Sequence, residues 1–176
     1  MRLDPEIKQA VVGQAFNELR NWLTYLNYST WYESKNFTNI ATYLKHDATE
    51  EMEHFFRFRQ YLLDRGENME FSGIDPLPLR ISSPHETFQH VQELEEQSTK
   101  NINNLVNLAK SKQDPMTEFF LIWFVDKQIS EEADAELLQE RSEGKNFNDV
   151  DMFIKLNGLL PGEQQQHHHH RQGKRH

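Results

Sequence analysis

The sequence contains no cysteine. Disulfides and thiolate metal sites are both excluded. No apolar run is long enough to span a bilayer, and the opening segment MRLDPEIKQA has no apolar signal core. A cytoplasmic location is the default expectation. No stretch carries the alternation of a strand, and there is no internal repeat. Positive charge is also short: 19 Lys and Arg stand against 28 Asp and Glu, a formal net charge of -9. An acidic surface argues against nucleic acid as a partner and favours cations.

The chain's 176 residues suit one compact domain with its own core, and 36% apolar with 27% charged residues is an ordinary soluble balance. Helix punctuation organises it. Asp4-Pro5 supplies an N-cap and a first-turn proline, opening a helix that runs to about Ser34. A second helix begins near Asn36 to Thr38 and ends before Gly66. Ser83-Pro84-His85-Glu86 reads as a capping box with proline at the first helical position, and its helix runs to about Ser111. Asp114-Pro115 starts a fourth, which Gly144 closes. A short amphipathic piece follows from about Asn148 to Asn157, ending at Gly158.

Each long helix of roughly 25 to 30 residues spans on the order of 40 Å. Short links make antiparallel neighbours. The link from Gly66 to Ser83 is long and carries Pro76 and Pro78, as a crossover along the bundle requires. The expected fold is all-α: a four-helix bundle with a long crossover between helices two and three, plus a short fifth helix. Residues 1–162 form the expected domain. Residues 163–176 (EQQQHHHHRQGKRH) are a low-complexity, histidine-containing tail, expected to be unstructured and left out of the fold argument.

Steps of three and four residues trace the buried seams. The first helix shows Val11, Ala15, Glu18, Trp22 and Tyr25. The second shows Leu44, Ala48, Glu51, Phe55, Phe58 and Leu62. The third shows Phe88, Val91, Glu95, Ser98, Ile102 and Leu105. The fourth shows Leu121, Phe124, Gln128, Glu131, Ala135 and Leu138. Every seam is mostly apolar and is broken near its midpoint by a carboxylate. Helices packed side by side bring their midpoints to one level, so the four acids should converge.

Four carboxylates cannot all stay ionised in an apolar core. Either their pKa values rise, or cations balance them. Two divalent metals would balance four charges. His54 lies three residues after Glu51, so both can face one point, in the Glu-x-x-His unit that dinuclear bundles use. Oxygen donors with one imidazole suit iron or manganese and also admit zinc. The second such unit is absent: the fourth helix offers Gln128-x-x-Glu131. One metal therefore has a nitrogen ligand and the other oxygen only. That asymmetry fits iron that leaves after oxidation better than a retained cofactor.

Over about residues 1 to 160 these features resemble the ferritins, specifically the non-haem bacterial type. The resemblance rests on the spacing of Glu18 and Tyr25, on HDATEEMEH from His46 to His54, on LEEQSTKNIN around Glu95, and on FLIWFVDKQISEE from Phe120 to Glu132. It implies iron storage with ferroxidase activity. Residues matching Glu18, Glu51 and His54 bind the first iron of two per subunit. Those matching Glu51, Glu95 and Glu131 bind the second, with Glu51 bridging. A glutamine matching Gln128 lies beside the site. Residues matching Tyr25 and Trp123 neighbour it and are implicated in electron transfer.

The resemblance also implies substrates and assembly. Fe(II) is oxidised by dioxygen or hydrogen peroxide, and Fe(III) is stored as oxyhydroxide in a homo-oligomeric shell of 24 subunits. The segment from Asn148 to Gly158 corresponds to the helix lining the four-fold channels. Acids of a third iron site match Glu50, Lys127, Ser130 and Glu131, and two of those four positions have lost the acid, leaving Glu50 as the additional candidate ligand. Cation channels at the three-fold axis use acids near the start of the fourth helix, where Glu118 is a candidate and Leu121 stands near a second expected acid.

Other readings are weighed against this one. A bacterioferritin would hold haem through a methionine, and Met52 adjoins Glu51; packing explains Met52 more simply, and no haem is expected. A DNA-coating mini-ferritin builds its sites between subunits, whereas here one bundle holds all the ligands. The missing second histidine disfavours a di-iron oxygenase or reductase. A non-catalytic helical scaffold would leave the acids neutral or solvated. His46, His85 and His90 read as surface or capping residues. Phe55, Phe56, Phe58 and Tyr61 read as core and subunit contact.

Overall fold

The computed structural model describes residues 2–163. Its elements are α1 (Pro5–Ser34), α2 (Thr38–Asp64), α3 (Pro84–Ser111), α4 (Pro115–Ser142) and α5 (Phe147–Leu156), with no strand among the described residues. This is the expected all-α bundle with a fifth helix, and α5 begins one residue earlier than its periodicity suggested. Of the expected tail, all but Glu163 lies outside the described residues. No described helix is long and apolar enough to cross a membrane.

Local chemistry sets the helix starts. Asp4 accepts from the backbone N–H of Glu6 at 2.9 Å, ahead of Pro5. Ser83 accepts from Glu86 N at 3.2 Å, ahead of Pro84. Asp114 accepts from Thr117 N at 3.1 Å, ahead of Pro115. Each satisfies an N–H that a helix cannot satisfy internally. Helix α2 has Phe37 at its cap position and no side-chain cap of its own. Asp151 of α5 supplies one, accepting from Asn39 N and Ile40 N, both at 2.9 Å. Gly66 and Gly144 follow α2 and α4 with φ of 74° and 68°, a left-handed turn that glycine takes without strain.

Helix α1 packs along α2, and α3 along α4. The crossover between α2 and α3 is pinned to α1: Leu77 N donates to Thr24 Oγ1 at 2.9 Å, and Arg80 N to Tyr28 Oη at 2.9 Å. Phe71 stands edge-on to both Phe16 and Phe55. The apolar core falls into two clusters. One holds Tyr25, Tyr28, Tyr32, Leu44, Ala48, Phe88, Val91 and Leu138. The other holds Val11, Ala15, Phe55, Phe58, Ile102, Leu121 and Phe124. Each long helix passes from one cluster to the other, and its mid-seam polar residue sits at the crossing. Full burial of one such Phe or Leu stabilises the fold by about 1.5–3 kcal/mol, so the two clusters hold the polar layer between them in register.

Two readings of individual positions change. Trp22 is only partly buried and packs against the edge of the first cluster. His90 is not a surface residue: it is buried, with Nδ1 2.6 Å from Tyr28 Oη. Burial, with the Arg80 charge, holds His90 below the ordinary histidine pKa. Leu121 is fully buried in the core, as its seam position predicts. The aromatic group on α2 keeps its reading: Phe55 and Phe58 are buried in the core, and Phe56 is about half exposed.

Candidate metal centre

The mid-seam residues meet in the polar layer. Glu18 comes from α1, Glu51 and His54 from α2, Glu95 from α3, and Gln128 and Glu131 from α4. Two sets of side chains offer ligand atoms lying within 4.8 Å of one another: Glu18, Glu51 and His54, and Glu51, Glu95 and Glu131. Glu51 belongs to both. Either set can hold a metal ion, and a carboxylate common to both can bridge two.

The contacts inside the layer are ionic and loosely aimed. His54 Nδ1 lies 3.6 Å from Glu18 Oε2 and 3.7 Å from Glu51 Oε1, and His54 Nε2 lies 3.3 Å from Glu131 Oε1. Glu18 Oε2, Glu51 Oε2, both ring nitrogens of His54 and both oxygens of Glu131 are buried without a hydrogen-bond partner. An unsatisfied buried polar atom costs about 1–3 kcal/mol, and such atoms are rare in folded proteins. Six in one layer, all on side chains of the two candidate ligand sets, mark a place suited to cations.

Protonation follows from the crowding. Burial pushes Glu51 well above the ordinary carboxylate range, reinforced by the charges of Glu18, Glu95 and Glu131. Burial likewise raises Glu95 to about 8, with the Glu131 charge adding to it and the Tyr25 hydroxyl opposing. Burial also raises Glu131, against the pull of His54. For Glu18, burial pushes upward, but Glu51, His54 and Gln14 outweigh it and hold the group below its usual value. For His54, burial pushes downward, and the nearby Glu131 and Glu18 overcome it, raising the imidazole to about 10. Without metal, protons therefore supply the positive charge of the layer, and a metal ion would displace them.

A second ring of contacts fixes the ligands. Gln14 Nε2 donates to Glu18 Oε1 at 2.9 Å. Tyr25 Oη donates to Glu95 Oε1 at 2.7 Å. Gln128 Nε2 donates to the Glu95 carbonyl at 3.1 Å and to Thr99 Oγ1 at 3.2 Å. Trp123 stands edge-on to the His54 ring at 5.4 Å, and the Arg57 guanidinium lies 3.7 Å over the Trp123 ring. Glu50 stands outside both ligand sets, 3.3 Å from His46 Nε2 and 3.7 Å from Lys127 Nζ.

Sequence reasoning passed over Gln14, Tyr43 and Asp47. Gln14 carried a signal: it precedes Glu18 by four residues on the same helix face. Tyr43 and Asp47 line a cleft beside the centre together with Glu50 and Lys127. Burial, then the charges of Glu50, Glu95, Glu131 and Asp134, push Asp47 well above its ordinary value. Asp47 carried the same signal as Gln14, since it precedes Glu51 by four residues on its own helix.

The chain is similar to known proteins over most of its length. The ferritin-like domain model matches residues 10–143. A bacterial non-haem ferritin of Bacteroides fragilis is 31% identical over 152 residues, covering 86% of this chain and 94% of that protein. Its counterpart in Escherichia coli is 34% identical over 130 residues, 74% of this chain and 79% of that one. Among solved structures, an open-pore ferritin from the hyperthermophilic archaeon Archaeoglobus fulgidus superposes with a TM-score of 0.82 at 25% identity, covering 87% of this chain and 96% of that one. With the domain model matched over residues 10–143 and relatives at 31% and 34% identity over most of the chain, the chain belongs to the ferritin family and resembles its non-haem bacterial members.

Proposed function

We propose that this chain is an iron-storage subunit with ferroxidase activity, acting through residues 1–162. The observation that carries the reading is the shared Glu51 between two ligand sets, with six buried polar atoms left for cations to satisfy. Family membership supports iron as the metal. Glu18, Glu51 and His54 hold one Fe(II), and Glu51, Glu95 and Glu131 the other.

Each Fe(II) gives up one electron. Dioxygen takes the two and, with two protons, leaves as hydrogen peroxide; peroxide as oxidant takes two electrons and two protons to give two waters. The iron supplies the redox chemistry. The chain supplies position, charge balance and a dry setting. Gln14 and Tyr25 orient the carboxylates of Glu18 and Glu95. Gln128 holds the α3 backbone at Glu95, and Trp123 packs against His54. The product Fe(III) leaves for an acidic interior surface, where hydrolysis yields oxyhydroxide and draws the ion from the centre. The functional unit is a cytoplasmic shell of 24 subunits, with α5 lining one class of channel.

Anaerobic soaking of crystals with Fe(II), followed by anomalous scattering at the iron edge, tests the reading. Two peaks flanking Glu51 are expected. A centre without iron at full soaking concentrations, or iron only at the histidine run His167 to His170, overturns it.

A further inference from the structure

A cleft of about 220 Å³ opens beside the centre, between α2, α3 and α4. Its lining includes Asp47, Glu50, Glu51, Glu95, Glu131 and Asp134. Against these six acids stand Lys127 and His46. Glu51, Glu95 and Glu131 belong equally to the metal-ligating sets, so the cleft and the centre share a wall. On that wall Glu51 is 2% exposed, and its Oε2 has no hydrogen-bond partner. The Lys127 ammonium lies 3.7 Å from Glu50 Oε1 and 5.7 Å from the Trp123 ring centroid.

We propose that Lys127 is a tethered cation that holds the place of a metal ion in this cleft, limiting the subunit to the two ions flanking Glu51. The inference rests on the dinuclear reading above. Glu50 attracts any cation that enters the cleft, and the ammonium already satisfies it. A divalent ion bound there would face the fixed positive charge a few ångströms away, and twice the charge doubles the repulsion. The indole face and the carboxylate hold the ammonium between them, a better place for it than water alone. Charge is thereby balanced at one end of the acidic wall by protein and at the other by metal. With the ammonium absent, Glu50 and Glu131 are left facing the same space, a setting for a hard divalent cation.

The test compares the full-length protein with Lys127→Gln, which removes the charge and adds no carboxylate. Crystals of each are soaked in Zn(II) and anomalous peaks are counted in the bundle, apart from the histidine run. The parent protein is expected to show two peaks at the centre and none in the cleft. Lys127→Gln is expected to show a third beside Glu50, and Lys127→Arg none. Adding Glu50→Gln to Lys127→Gln should abolish the third peak. A cleft peak in the parent, or two filled central positions and an empty cleft in Lys127→Gln, overturns the inference and leaves the dinuclear reading standing. A centre empty of metal in every protein overturns both.

Discussion

Tyr25 on α1 donates a 2.7 Å hydrogen bond to Glu95 on α3, across the layer where the two ligand sets meet. Burial, then the charges of Glu95 and Glu51, raise the phenol well above its ordinary value, so it remains a donor at every working pH. Tyr25→Phe deletes the donor and keeps the ring in the core. The variant is expected to lose about 1–2 kcal/mol of stability and to oxidise Fe(II) roughly 10–100-fold more slowly, the usual cost of removing a group that orients a metal ligand. Thermal melting and stopped-flow absorbance measure the two effects separately. An unchanged oxidation rate would show that Glu95 needs no orienting partner.

His54→Ala and Glu18→Ala should each abolish fast Fe(II) oxidation while leaving the helical content intact. Both residues belong to the set that includes the one imidazole ligand. The apolar clusters on either side do not depend on them. Stopped-flow oxidation with circular dichroism on the same samples checks both halves. Oxidation at the parent rate in either variant refutes the assignment.

The metal-free protein should lose stability as pH rises from about 5 to 10. Glu95 sits at about 8 in the folded chain against an ordinary 4.5, so the folded state binds the extra proton between those values. Stability from this group is complete below 4.5 and is lost on passing 8. His54 behaves alike between its ordinary 6.5 and about 10. Each proton contributes a slope of about 1.4 kcal/mol per pH unit inside its window. Glu18, held low, acts in the opposite sense, giving stability that is lost only in acid. Melting temperatures in EDTA should fall across this range, Glu95→Gln should flatten the fall between 4.5 and 8, and Zn(II) should remove most of it by replacing the protons. A metal-free melting temperature that rises toward pH 9 contradicts this arrangement of charges.

Asp151→Ala should destabilise the fold without touching the chemistry. Asp151 accepts from two backbone N–H groups at the start of α2 and from the Asn39 side chain. Loss of an N-cap costs about 0.5–2 kcal/mol, and α2 has no other side-chain cap. The melting temperature should drop by several degrees while the rate of Fe(II) oxidation per folded subunit stays the same. Parent-like melting would mean that water or Asn39 satisfies those N–H groups equally well.

The helix boundaries were legible because proline, aspartate and serine act within three residues of where they stand. The seams were legible because burial on a straight helix repeats every three or four residues, and Glu18, Glu51, Glu95 and Glu131 interrupt that repeat. His90 was misread for one reason. Seam position tells which side of a helix is covered, but the crossover loop covers part of the opposite side. Tyr28 and His90 are buried partly by that loop, whose Arg80 N–H bonds to Tyr28.

By itself the sequence determined an all-helical chain, the lengths of its five helices and the level at which acids cut through each apolar seam. Those are local properties, set by propensity, capping and periodicity. The tertiary structure alone decided that Asp151 caps a helix more than a hundred positions away, and that Lys127 stands over Trp123 against Glu50. Those depend on rotation and offset between packed helices. A repeat of three or four residues leaves such angles open, and only the interlocking of side chains in two separate apolar clusters closes them.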